Sequence, residues 1–257
     1  MATRDKPPRR VKTSDTVFEI IETIQELDGA SLADLSKELS FAKSTIHDHL
    51  STLEAKEYVS RDGEQYTLSL KFLKLGMFSK DEHDVSRVGQ PIIEELAERT
   101  GEGVWINVEE HGKAVPLTKA MGEKGITTHT SIGSREYLHH LASGKVLLSY
   151  MPDERVEEII DRHGLPPKTS RTITDPDELR EELEEIRARG VAVNDREAAK
   201  GVRAIAAPIF NGEKVVSAVC VSGAANRMTD ERCYEEIKPQ LLEATNEIEL
   251  KLQYPGN

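Results

Sequence analysis

The chain has 257 residues, enough for one or two domains with sizeable cores. Its 34 basic and 46 acidic residues leave a formal net charge of -12, so no global attraction draws it to phosphate, and Cys220 and Cys233 offer neither a disulfide framework nor metal-ligand spacing. With no run of 18 or more apolar residues and a charged start, the expectation is a reduced, cytoplasmic protein with no membrane partner and no cofactor; the acid-rich surface also suits a salt-rich cytoplasm.

The acid excess lies downstream, because the first residues form a basic, proline-bearing arm with Arg4, Lys6, Arg9, Arg10 and Lys12. Val17, Ile20, Ile21, Ile24 and Leu27 then recur at helical spacing. In residues 31–39, Ser31 and Asp34 have the spacing of a reciprocal N-terminal cap, and Leu32, Leu35 and Leu39 share one helical face. A three-residue break, 40–42, leads into a helix over 43–56 whose Ile46, Leu50 and Leu53 face inward. That leaves Lys43, Ser44, Thr45, His47 and Asp48 facing outward, short polar groups at the end of a helix able to meet base edges and phosphates. Two β-prone runs follow across Asp62-Gly63, a hairpin signal, with Arg61 on the first. Cap, turn, helix and hairpin in this order predict a winged helix-turn-helix that reads double-stranded DNA; a three-helix scaffold without nucleic acid is the alternative reading.

Residues 69–78 are apolar at helical spacing and predict a connecting helix, with Phe72, Leu73, Leu75 and Phe78 as a dimer seam. Beyond them the pattern mixes a helix near 92–99, a hairpin of 103–108 with 114–118, and helices over 136–151, 153–162 and 176–189. Strands follow at 191–194, 202–210 and 214–222, the last two joined across Asn211-Gly212, before a closing helix over 230–252. Strands pairing by hairpins with helices interspersed make an α+β domain. The organisation expected is a DNA-binding domain at 1–76, a linker helix at 77–90 and a second domain at 91–257.

Alternation along Ala218-Val219-Cys220-Val221-Ser222 puts Ala218, Cys220 and Ser222 on one face, small and mildly polar, which suits a cavity for a compact ligand; close packing of a helix on the sheet explains it equally well. Catalysis has little support. His139-His140, His129, His47 and His49 lack partners at ligand spacing, a histidine pair on a helix usually has one member exposed, and no Gly-x-Ser-x-Gly elbow is present. Cys220 as a redox sensor is a third reading, although no basic neighbour lowers its pKa.

Several segments together resemble an IclR-type transcriptional regulator over nearly the whole chain: Ser44-Thr45-Ile46, Leu141-Ala142-Ser143-Gly144-Lys145-Val146, Ile186-Arg187-Ala188-Arg189-Gly190, Gly201-Val202-Arg203-Ala204-Ile205-Ala206-Ala207-Pro208 and Val221-Ser222-Gly223. The resemblance implies a winged helix-turn-helix, a linker helix and an effector-binding domain similar to GAF and PAS sensors, with mainly antiparallel sheet flanked by helices. It implies a homodimer or dimer of dimers on operator DNA, responding to a small organic effector such as an organic acid or aromatic compound, with a GAF-like sensor or an enzyme of unrecognised site as the alternative. It also places Gly133 and Ser134 at the mouth of the pocket, near a helix start at Glu136, with Asn194 and Ala204 beside Cys220 and Ser222. The family commonly has Arg where this chain has Asp48, an acid in place of Asn194 and a cysteine in place of Ala204, so neither the base preference nor the effector carries over.

Overall fold

The computed structural model describes residues 11–126 and 130–254; Arg9, Arg10 and the rest of the arm before Val11, and His129, lie outside the described residues. The chain forms two compact units, Met1–Ser79 and Lys80–Asn257.

In the first unit α1 (Lys12–Glu26), α2 (Leu32–Glu38) and α3 (Lys43–Ala55) enclose Ile20, Ile24, Leu35, Ile46 and Leu50, all but sealed from solvent. The cap at Ser31 is reciprocal: its hydroxyl accepts from the Asp34 amide while the Asp34 carboxylate accepts from the Ser31 amide, each at 3.1 Å. Strand β1 (Ala30–Ser31), which nothing in the hydrophobic pattern announces, pairs with β3 (Gln65–Leu68), itself paired with β2 (Val59–Asp62). The wing turn sits one residue later than expected. Asp62 pairs with Gln65, so Gly63 and Glu64 form the loop, with Gly63 at φ 60, where a glycine costs nothing.

The stretch after the wing makes two helices, α4 (Lys71–Asp81) and α5 (Asp84–Thr100), broken where His83 takes extended backbone and Ser86 bonds back to the Lys80 carbonyl. Phe72 is spent within the first unit, packing on the Tyr58 ring with centroids 5.2 Å apart.

Among the described residues the second unit is built on a six-stranded antiparallel sheet in the order β6 (Glu136–Tyr137), β5 (Lys113–Met121), β4 (Gly103–Glu110), β9 (Lys214–Ala224), β8 (Val202–Asn211), β7 (Ala192–Asp195). Alternation sorts its side chains into two cores. Val104, Ile106, Ile205, Val219 and Val221 meet α5 and α9 (Lys238–Gln253), burying Ile93, Leu241 and Ile248. Trp105, Ala204, Ala206, Ala218 and Cys220 face α6 (Ala142–Ser149), α7 (Asp153–His163) and α8 (Pro176–Arg189), with Leu138, Val146 and Leu179 between. The β8–β9 turn repeats the wing's displacement: Asn211 pairs with Lys214, leaving Gly212-Glu213 as the loop with Gly212 at φ 64.

The helix expected from Glu136 is corrected. Glu136 and Tyr137 pair with Ala114 and Lys113 as an edge strand, and α6 starts only at Ala142. The His140 carbonyl, which a helix would bond to Gly144, instead accepts the Asn194 side-chain amide. Gly144 is obligatory, since a Cβ there would sit 2.1 Å from the Leu138 carbonyl oxygen. The closing helix forms as expected but is unevenly wound: Arg232–Ile237 makes a π-helical turn that runs into α9, where Pro239 removes a backbone donor.

Candidate functional site

The residues expected to meet DNA lie on the N-terminal half of α3. Burial of Ile46, Leu50 and Leu53 fixes its rotation, so Lys43, Ser44, Thr45, His47 and Asp48 are all exposed. No side chain caps α3 at Ala42 and no acid sits in its first turn, leaving amide donors and a positive dipole end for a phosphate. On the wing, the exposed Arg61 guanidinium donates 2.8 Å to the Gly63 carbonyl and lies 5.3 Å from the Tyr66 ring centroid, held beside the turn. Lys71, which the sequence reading passed over, reaches the Lys56 carbonyl at 2.7 Å across the Tyr58 ring.

A cavity of about 320 Å³ opens on the second unit between the sheet and the start of α6. Asn194 from β7, Ala204 from β8 and Cys220 and Ser222 from β9 line it together. Gly133 and Ser134 are not among its lining; the Gly133 amide bonds Pro116 O on β5, and the Ser134 hydroxyl bonds Ser131 O within its own loop. With α6 starting at Ala142, it is Leu141, Ala142 and Ser143 that bring a helix start to the cavity, not Glu136. The sequence reading also missed Trp105 and Asn107. Strand alternation puts both on one face of β4, opposite Cys220 and Ala218, and that signal was available.

His139 and His140 correct a second expectation, since neither is on a helix and both are buried, at 2% and 1% exposure. His139 Nε2 lies 3.2 Å from Pro166 O, but neither ring nitrogen of His140 has a hydrogen-bond partner. Burial, then the neighbouring His139 and Lys168, push the His140 imidazole down to about 3, so it is neutral near pH 7. Burial pushes the Cys220 thiol up to about 12, against a weaker opposing hydrogen bond from the Ser143 backbone. Such a thiol stays protonated and lacks the thiolate a redox sensor uses.

Behind the cavity wall is a buried charge network. Lys145 Nζ is 2.9 Å from Glu197 Oε1 and 3.2 Å from Glu182 Oε1. The Glu197 amide donates 3.0 Å to Asn194 Oδ1, so the network orients a lining residue. Burial raises the Glu197 carboxyl pKa even though Lys145 opposes it. Among the described residues no group of three or more His, Cys, Asp or Glu side chains gathers to hold a metal, and no helix is long and apolar enough to cross a membrane.

A winged helix-turn-helix joined to a sheet-based domain with a small-molecule cavity defines a ligand-responsive DNA-binding regulator. Residues 15–63 match the IclR helix-turn-helix domain, and residues 77–250 match the bacterial transcriptional regulator IclR C-terminal domain. The chain is 34% identical to a probable HTH-type transcriptional regulator ArcR of Halobacterium salinarum, over 98% of each chain. It superposes on the Thermotoga maritima IclR crystal structure with TM-score 0.79 at 30% identity, covering 95% of this chain and 100% of that one. An IclR homologue from Microbacterium hydrocarbonoxydans, crystallised with 4-hydroxybenzoate, shares the fold at TM-score 0.81 and 22% identity, covering 94% of this chain and 99% of that one. The chain belongs to the IclR family of transcriptional regulators, with an N-terminal helix-turn-helix DNA-binding domain and a C-terminal effector-binding domain.

Proposed function

We propose that Lys43, Ser44, Thr45, His47 and Asp48 read operator DNA in the major groove, with Arg61 on the wing and Arg9 and Arg10 in the arm holding the phosphate backbone. The effector is a compact organic acid or aromatic acid, bound and not transformed, in the cavity lined by Asn194, Ala204, Cys220 and Ser222. The observation that carries this reading is the mixed lining. Trp105, Leu141 and Ala204 supply apolar wall, while Asn107, Ser143 and Asn194 supply a few placed polar groups, the pattern of small-molecule sites. The protein works as a homodimer, because one winged module buries too little DNA for specific binding. Effector binding regulates transcription only if it favours one DNA-binding state, since equal affinity for both shifts nothing.

Fluorescence anisotropy on DNA from upstream of the regulator's own gene tests the reading, at fixed salt, with pyruvate, glycolate and 4-hydroxybenzoate each added in turn. Specific binding that at least one acid changes by about fivefold or more is the expected result. Binding no tighter than to scrambled DNA refutes the assignment of the reading head, and indifference to every acid refutes the assignment of the effector class.

A further inference from the structure

One ion pair forms part of the cavity wall, and its geometry goes beyond a surface bridge. Lys168 Nζ donates 2.8 Å to Glu136 Oε2, and both residues line the cavity. The same Glu136 oxygen stands 3.7 Å from His140 Nε2, too far for a hydrogen bond. His140 therefore has an idle ring beside a carboxylate that Lys168 holds. No other lysine or arginine lines the cavity among the described residues, so an acid entering it meets a single cation, already engaged by a carboxylate.

We propose that the Glu136–Lys168 pair selects the charge of the effector: the ligand carboxylate displaces Glu136 from Lys168 Nζ, and Glu136 turns to accept a hydrogen bond from His140. The exchange moves no proton and adds one negative charge, the ligand's own, which the His140 N–H offsets as a hydrogen-bond donor to the released Glu136. Lys168 keeps one carboxylate partner throughout, and the neutral imidazole donates one N–H without taking up a proton. A neutral isostere of the ligand cannot displace a charged partner, which gives discrimination against amides and esters of the same shape. Glu136 is thus a competitor of the ligand and Lys168 its receiver, and substitutions at the two must act in opposite directions.

This rests on the effector reading above, and calorimetry on the full chain separates the two. Pyruvate, glycolate and 4-hydroxybenzoate are each titrated against their primary amides. In the unaltered protein at least one acid binds about tenfold or more tighter than its amide. Glu136→Gln strengthens binding of that acid by about threefold or more, because the competing charge is gone, and leaves the amide unaffected. Lys168→Gln brings acid and amide to within about twofold of each other, and Lys168→Arg restores the preference. Both side chains are partly exposed, at 23% and 47%, so the variants fold, and matching thermal melts check this. On adding the acid, the His140 ring nitrogen resonance shifts in the unaltered protein and not in Glu136→Ala. An acid preference that survives Lys168→Gln, or weaker acid binding in Glu136→Gln, overturns the selector while leaving the effector class standing. If no acid or amide binds the unaltered protein, the effector class itself fails and the selector with it.

Discussion

Lys145 and Glu197 form an ion pair at 2.9 Å with side chains 2% and 9% exposed, placed so that the Glu197 backbone amide steadies Asn194 at the cavity. A pair this enclosed contributes little net stability over an apolar isostere, yet removing one partner strands the other charge. Lys145→Met is expected to destabilise the second unit by about 3–5 kcal/mol, and Lys145→Met with Glu197→Leu to recover most of that loss. Urea unfolding followed by the single tryptophan, Trp105, reads the effect from within the same unit. A single variant costing under about 1 kcal/mol shows that the charges are not sealed from water as the geometry has them.

His140 makes stability depend on pH. Its folded pKa is about 3 against an ordinary value of 6.5, so below pH 6.5 the unfolded chain binds a proton that the folded chain refuses. Stability therefore falls as pH drops from 6.5 towards 3, by at most about 1.4 kcal/mol per unit for one proton. His139, lowered by burial, adds in the same direction. His140→Phe should flatten this slope by about one proton equivalent in urea titrations at successive pH values. An unchanged slope means the imidazole is protonated inside the fold.

The reading head was legible because its signals are local. The cap at Ser31, the Ile46–Leu50–Leu53 stripe and the wing runs each lie within a few residues, and the structure keeps all of them. Half of the cavity was legible for the same reason, since alternation alone groups Cys220 with Ser222. What escaped depends on distant partners. Whether residues 136–141 form helix or strand is decided by Asn194 taking the His140 carbonyl and by β5 offering an edge, more than 20 residues away in both cases. The place of Lys168 beside the cavity is set likewise, by Thr169 and Thr172 tying its loop to the carbonyls of Arg196 and Glu197. Turn positions slipped by one because glycine serves at the first loop position as readily as at the second.

On DNA, Lys43 and its neighbours are expected to separate by role. Lys43→Ala weakens binding to all sequences and lowers the slope of log affinity against log salt by about one, as loss of one phosphate contact does. Thr45→Ala and His47→Ala instead change which bases are preferred, at a cost of about 1–3 kcal/mol on the operator. Anisotropy on operator and random duplexes over a range of salt distinguishes them. Equal losses on both duplexes for all three variants contradict the assignment.

Helix α4 presents Leu73, Leu75, Met77 and Phe78 to solvent, with Leu70 just before it. An exposed apolar row of this length is expected to be covered by a second copy. With Phe72 committed to Tyr58, Leu73 and Phe78 are the positions to alter. Light scattering should give a dimer or larger at micromolar concentration, and Leu73→Glu with Phe78→Glu should give monomers that bind operator at least about tenfold more weakly. A monomeric unaltered protein, or a charged variant that still dimerises, rules out this seam.

The coupling of cavity to operator is tested by filling the cavity. Ser222 lines it from β9, partly buried, with a long 3.4 Å bond from its hydroxyl to the Gly103 carbonyl. Leucine there adds three carbons to a space of about 320 Å³ already narrowed by Trp105 and Cys220. Because the strand backbone and the reading head are untouched, DNA affinity without effector should stay within about threefold, as distant sites add nearly independently. Effector binding should be lost in calorimetry, and with it any change in operator affinity on adding acid, since the two are linked by one coupling energy. Normal effector binding in Ser222→Leu places the ligand elsewhere. An effector that still binds the unaltered protein without altering operator affinity shows a cavity that takes a ligand but does not regulate.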